Sequence, residues 1–361
     1  MVQVRPRSAS QSWLGGLYLV LLSGCSRPEA AAPGSPVGSA GPPAASSVVP
    51  EPAAAPEPRD GSIPEVSLAL ASLGPPALSV AEVRTLLFPS DDPAIPPPCA
   101  EGVDAACIGC LLDARYAADP QARGVARGLF DATGDVAGLL PAQQMEGGFR
   151  GTLSLVPELP VGKRRAHLDW FARAAADYDR FFDALTEGHA ERIRYRWRAL
   201  GLRFMRSVNR TTPSAFALGW SIAYNVDGSL NTSADAVREL LFHEIFHLND
   251  AAHGDWSVAA LGPIFDAIEA RCHASIACLT PFAPTTMKVR GGTYYAFQPN
   301  NGQAVREYAA ELALRYYQEQ RRLTRHETPR RPFKCGPKEN AQAWQLIKDE
   351  FWGGIDATVC P

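Results

Sequence analysis

From Val237 to Leu248 the chain is apolar on almost every side of any helix it forms: Val237, Leu240, Leu241, Phe242, Ile245, Phe246 and Leu248. A helix apolar all round is buried, so the fold has to be built around this segment. Yet the same stretch carries His243, Glu244 and His247. Imidazoles and a carboxylate are costly to bury without partners, and a metal ion supplies one. Residues four apart share a helix face, so His243 and His247 point the same way. This is the H-E-x-x-H spacing, at which two histidines hold one zinc ion and the adjacent Glu244 takes a proton from a zinc-activated water. Thr232 can cap the helix. Asp235 sits in its first turn, where the helix dipole favours a carboxylate.

The remaining chain has to supply a core and a third ligand. With 361 residues there is length for one or two domains. The net charge of −3 is close to balance, and no net basicity points to nucleic acid.

The N-terminus reads as export machinery. Arg5 and Arg7 precede an apolar run, Trp13 to Leu22, which is too short to span a bilayer comfortably and ends in small residues. Its end, Leu22-Ser23-Gly24-Cys25, resembles the lipobox of bacterial lipoproteins. That resemblance implies cleavage before Cys25, lipid on Cys25, and anchoring in the bacterial cell envelope on its periplasmic or surface face. Residues 1–24 are then the signal peptide, and 25–62 a tether of Pro, Ala, Ser and Gly that cannot bury a core.

An exported chain folds where disulfides persist. Cys272 with Cys278 and Cys335 with Cys360 are plausible pairs by proximity. Cys99 has two candidate partners, Cys107 and Cys110, and one thiol is left over. Cys107-Ile108-Gly109-Cys110 is a C-x-x-C without the second C-x-x-C of a metal site or the βαβ context of a redox protein.

Residues 63–145 read as a small, mostly helical, cysteine-containing segment: Ser79 to Leu87 capped at Ser79, Cys107 to Ala118, Pro120 to Phe130, then turns at Gly134 and Gly138. From 146 to 361 the pattern sharpens. Phe149 to Val156 is a predicted strand, and Gly162 to Leu185 a long helix with a packing stripe of Leu168, Phe171, Ala175, Tyr178, Phe182 and Leu185. Arg192 to Arg198 alternates arginine with aliphatic and aromatic residues. This predicts a half-buried strand whose arginine row is its solvated side, with binding of an anion or an acidic substrate as the alternative. Leu200 to Met205 and Phe216 to Val226 are further predicted strands.

Strand, long helix, further strands, then a helix bearing H-E-x-x-H: this order, over roughly 150 to 320, resembles the catalytic domain of zincin metallopeptidases. The resemblance implies an α+β fold, with a backing helix and an active-site helix on a twisted sheet and a mostly helical C-terminal subdomain. It also implies an edge strand that holds an extended peptide, here the run from Phe216 to Val226.

Two residues compete to be the third ligand. His253 stands ten residues after His243, the metzincin spacing, but Asp250 occupies the place of that family's glycine, and Thr286-Met287-Lys288 is a poor Met-turn. Glu307 opens Glu307-Tyr308-Ala309-Ala310-Glu311-Leu312-Ala313, which resembles the downstream helix of gluzincins akin to anthrax lethal factor. That resemblance makes Glu307 the preferred ligand and puts Glu311 one turn behind it. Gly291 to Ala296 resembles the tyrosine-bearing segment before that helix, so Tyr295 or Tyr294 would support an oxyanion. The expectation is a lipid-anchored zinc metalloendopeptidase with His243, His247 and Glu307 on Zn2+, Glu244 as base, Tyr295 assisting, and a peptide or protein as substrate. A non-catalytic binding or scaffold lipoprotein on the same fold is the alternative.

Overall fold

The computed structural model describes residues 78–89, 99, 105–147, 151–187, 193–289, 292–298, 303–327 and 331–361. These all fall within the unit Gly61–Pro361. The expected signal peptide, Cys25 and the tether lie outside the described residues. No described helix is long and apolar enough to cross a membrane.

The first helices follow their local signals. α1 (Val80–Leu87) starts in a capping box, with Ser79 and Glu82 each taking the other's backbone N–H. α2 (Ala105–Arg115) and α3 (Pro120–Thr133) follow. α3 has Asp119 as its cap and Pro120 in its first turn, and it ends on Gly134 at φ 75°. Gly138 is not the expected turn. It lies inside β1 (Val136–Leu139), where a Cβ would come within 2.3 Å of the Leu86 carbonyl oxygen. Glycine is there because α1 packs directly on the strand. The stretch before 146 thus adds strands as well as helices, since β2 (Gln143–Glu146) follows.

β3 (Thr152–Pro157), β4 (Gly201–Ser207), β5 (Ala215–Leu218) and β6 (Ser221–Asn225) complete a six-stranded mixed sheet. β4 is its centre. β1 runs parallel along its first half, β3 antiparallel along its second, and β6 parallel on its other side. β5 pairs only with β6, antiparallel, and is an edge. The expected single strand from Phe216 to Val226 is therefore a hairpin. Gly219, at φ 56°, allows the reversal, and only β5 forms the edge.

α4 (Arg165–Thr186) backs the sheet with Leu168, Phe171, Ala175, Tyr178 and Phe182 buried as the stripe predicts. Phe171 meets Phe204 and Tyr224 of the sheet. Among the described residues, the opposite face of the sheet carries a small cluster, Leu140, Leu153, Leu155, Met205 and Ala223.

The arginine-rich run is not a strand. Residues 193–199 are irregular, and their backbone groups are taken elsewhere. Arg196 N–H donates to Asn249 Oδ1, Asn249 Nδ2 donates to the Arg196 carbonyl, and Arg194 N–H donates to the Phe351 carbonyl. Tyr195 stacks on Phe242 and Trp197 on Phe182. Of the described arginines, Arg194 is exposed, while Arg196 lies over the Trp220 ring and Arg198 pairs with Asp179. The alternation reflects side chains tucked on two sides of an extended segment, not a ladder.

The motif helix, α5 (Ala234–Ala252), is capped by Ser233, whose hydroxyl accepts from Ala236 N–H, rather than by Thr232. α6 (Trp256–Cys272), the short α7 (Ile276–Leu279), α8 (Ala304–Thr324) and α9 (Lys338–Phe351) follow. Disulfides join Cys99 to Cys110, Cys272 to Cys278 and Cys335 to Cys360. Cys107 is in none of these disulfides, and its buried thiol donates to the Cys99 carbonyl, so the C-x-x-C is not a dithiol pair. The molecule is α+β, its helices outweighing a curled sheet.

Candidate metal centre

α5 is buried on the sides that meet α4, the sheet and α8, as its all-round apolarity requires. Phe242 stacks on Tyr317 of α8 and meets Tyr178 of α4, which fixes the rotation of the helix. That rotation turns His243 and His247 toward the first turns of α8. His243 Nε2 lies 3.1 Å from His247 Nε2 and 3.2 Å from Glu307 Oε2, and His247 Nε2 lies 3.7 Å from the same oxygen. Among the described residues these three form the only group placed to hold a metal ion.

The spacing fits a cation. Nitrogen and carboxylate ligands stand about 2.0–2.2 Å from a tetrahedral ion, which sets ligand atoms about 3.3–3.6 Å apart. The three edges scatter around that value. The electrostatics also call for positive charge. Burial pushes the His243 imidazole down, but the hydrogen bonds and charges of Glu307 and Glu311 outweigh it and hold its pKa well above the ordinary value. Burial pushes Glu307 up, and its bonds to His243 and His247 prevail, holding it well below the carboxylate range. The two carboxylates flank His243 on its two ring nitrogens and favour positive charge there.

Glu311 lies one turn after Glu307 on α8, where the gluzincin resemblance implies it. Its Oε1 is 3.0 Å from His243 Nδ1, so the imidazole is held from behind with Nε2 left for a metal. Thr285 donates its hydroxyl to the other Glu311 oxygen. Nothing in the sequence around Thr285 marks it, because its partner lies on a helix that starts much later in the chain.

Glu244 is buried beside the ligands, 6% exposed. Burial pushes its carboxyl up, and the backbone N–H of Ala217 donates to it. Ala217 belongs to β5, so the edge strand and the candidate base are in direct contact. Of the two tyrosines, Tyr295 is the one at the centre: its ring sits edge-on to His243 at 5.7 Å. Tyr294 is buried and donates its hydroxyl to Thr280, away from the cluster.

His253 is not brought to the cluster. It ends α5, and its Nδ1 lies 2.6 Å from Glu350 Oε1 of α9. Asp250 has a structural role instead of being a turn residue. Its carboxylate accepts from Ser257 N–H at 2.7 Å and Ser257 Oγ at 2.6 Å, holding the first turn of α6. The reversal comes later, at Gly254 and Asp255, both at positive φ.

No protein-family model, curated protein or solved structure matches the chain.

Proposed function

We propose that the chain is a zinc-dependent peptidase of the zincin type, with His243, His247 and Glu307 as zinc ligands. The observation that carries this reading is the triangle of His243 Nε2, His247 Nε2 and Glu307 Oε2, with edges of 3.1–3.7 Å, beside a buried Glu244. A zinc ion held there supplies a Lewis acid that acidifies water and polarises a carbonyl.

The chain's own groups do the rest. Glu244 accepts the proton of the attacking water and passes it to the leaving amine. Glu311 keeps His243 in the tautomer that presents Nε2. Tyr295, beside His243, donates its phenol toward the developing oxyanion. Among the described residues β5 pairs with one strand only, and its outer edge, which already donates the Ala217 N–H to Glu244, can align an extended peptide there. We place the enzyme on the bacterial cell envelope, anchored through lipid on Cys25, from the lipobox resemblance.

The test is a peptide-library digest with the zinc-loaded protein, with and without chelator. Chelator-sensitive cleavage is expected. A protein that holds one zinc and cleaves nothing is the scaffold lipoprotein instead.

A further inference from the structure

A second centre of charge lies at the far end of the same helices, with no part in the proposed chemistry. Asp177 of α4 is 7% exposed, and four arginines converge on it. Arg321 binds it through both Nε, at 2.6 Å, and Nη2, at 3.0 Å. Arg325 Nη2 approaches at 3.3 Å, Arg180 Nη2 at 3.4 Å and Arg238 Nε at 3.7 Å. The Tyr317 hydroxyl donates as well, at 2.7 Å. A carboxylate offers about four lone-pair positions. Six donors aim at this one, so it cannot satisfy them all.

The surplus is visible in two ways. Arg238 Nε is buried and makes no hydrogen bond. Its other arm pairs with Asp235, so four guanidinium charges face two carboxylates. The excess charge is not sealed in: the side chains of Arg180 and Arg325 are 69% and 48% exposed. Along α8, Glu307 stands in the first turn and Arg321 in the last, about 20 Å apart, while on α5 Arg238 precedes His243 by five residues.

We propose that the Arg180–Arg238–Arg321–Arg325 cluster binds the phosphoryl group of a ligand, with Asp177 as the pedestal that orders the arginines. A phosphate brings several strong acceptor oxygens, and guanidinium forks match its geometry bidentately. Arg180 and Arg325 close on it from solvent. Arg238 and Arg321 supply the buried charge beneath.

The test titrates the zinc-loaded full chain with inorganic phosphate against chloride at constant ionic strength, read by phosphorus NMR line broadening and melting temperature. Wild type and the Arg180→Ala/Arg325→Ala double variant are compared; both side chains are exposed, so the variant keeps its fold. Saturable binding is expected in wild type, with affinity lower by about tenfold or more in the variant, since a hydrogen bond to a charged group contributes about 1.5–3 kcal/mol. A parallel arm uses phosphatidylcholine vesicles with and without phosphatidic acid. Binding to the phosphatidic acid vesicles alone assigns the phosphoryl group to a lipid headgroup; saturation by free phosphate assigns it to a soluble ester. No response to either overturns the site. An identical response in the double variant also overturns it, because it places the phosphate elsewhere, for instance at the zinc.

Discussion

At the scale of single residues, side-chain partners decide between rival ligands. His253 has the spacing of a third histidine, yet it is held by Glu350, while Glu307 reaches both motif histidines. Glu307→Ala should therefore lose stoichiometric zinc in elemental analysis, and His253→Ala should keep it. The reverse pattern would reassign the centre. Glu311 never needs to touch the metal to matter. Glu311→Gln should weaken zinc by about 10–100-fold in competition with a chelator, because His243 loses the carboxylate at its Nδ1. His243, Glu244 and His247 were readable in the sequence from helix spacing and residue type, whereas Glu307 was suggested only by the resemblance of its helix to that of gluzincins, with His253 as its rival. Thr285 and the Ala217 N–H were not readable, because their roles depend on which distant segments pack together.

At the scale of elements, the helices were legible where a cap marks the start, as in α1 and α3, or where a long apolar stripe suffices without one, as in α4. The strands were harder, because period-two alternation marks any extended segment with two environments. The sequence from Arg192 to Arg198 alternates well, but residues 193–198 bond to helices instead of strands. Asn249 decides this by taking both backbone groups of Arg196. Asn249→Ala would leave that N–H and C=O unpaired beside the buried end of α5. A loss of about 2–3 kcal/mol in urea unfolding is expected. A loss below about 0.5 kcal/mol would mean that water replaces the amide and that the segment is held by its rings alone. In the Phe216 to Val226 run, the apolar residues hid a hairpin; Gly219 was its only mark.

At the scale of the whole molecule, the packing of α4, α5 and α8 builds both charged centres and makes stability depend on pH. Burial pushes the Asp177 carboxyl up, but the Arg321 and Tyr317 bonds and the Arg321 and Arg238 charges outweigh it and hold its pKa at about 2, below the ordinary 3.8. A depressed carboxylate stabilises the fold above its unfolded pKa, and that contribution is lost as pH falls from about 4 through about 2. The contribution is on the order of 2 kcal/mol. Asp177→Asn should lose stability at neutral pH and show a flatter acid limb in urea unfolding; an acid limb that matches wild type would remove Asp177 from the account. None of this was visible in the sequence, where Asp177 and Arg321 belong to separate helices with no shared motif.

The account turns on Glu244. The decisive measurement is cleavage of a peptide library by zinc-loaded Glu244→Gln beside wild type, with the zinc content of both samples determined. One zinc per chain in each is expected, with wild-type cleavage and a loss of at least about 10²-fold in the variant. Cleavage by the variant at the wild-type rate, with zinc in place, would contradict the assignment of Glu244 and with it the chemistry proposed for the centre.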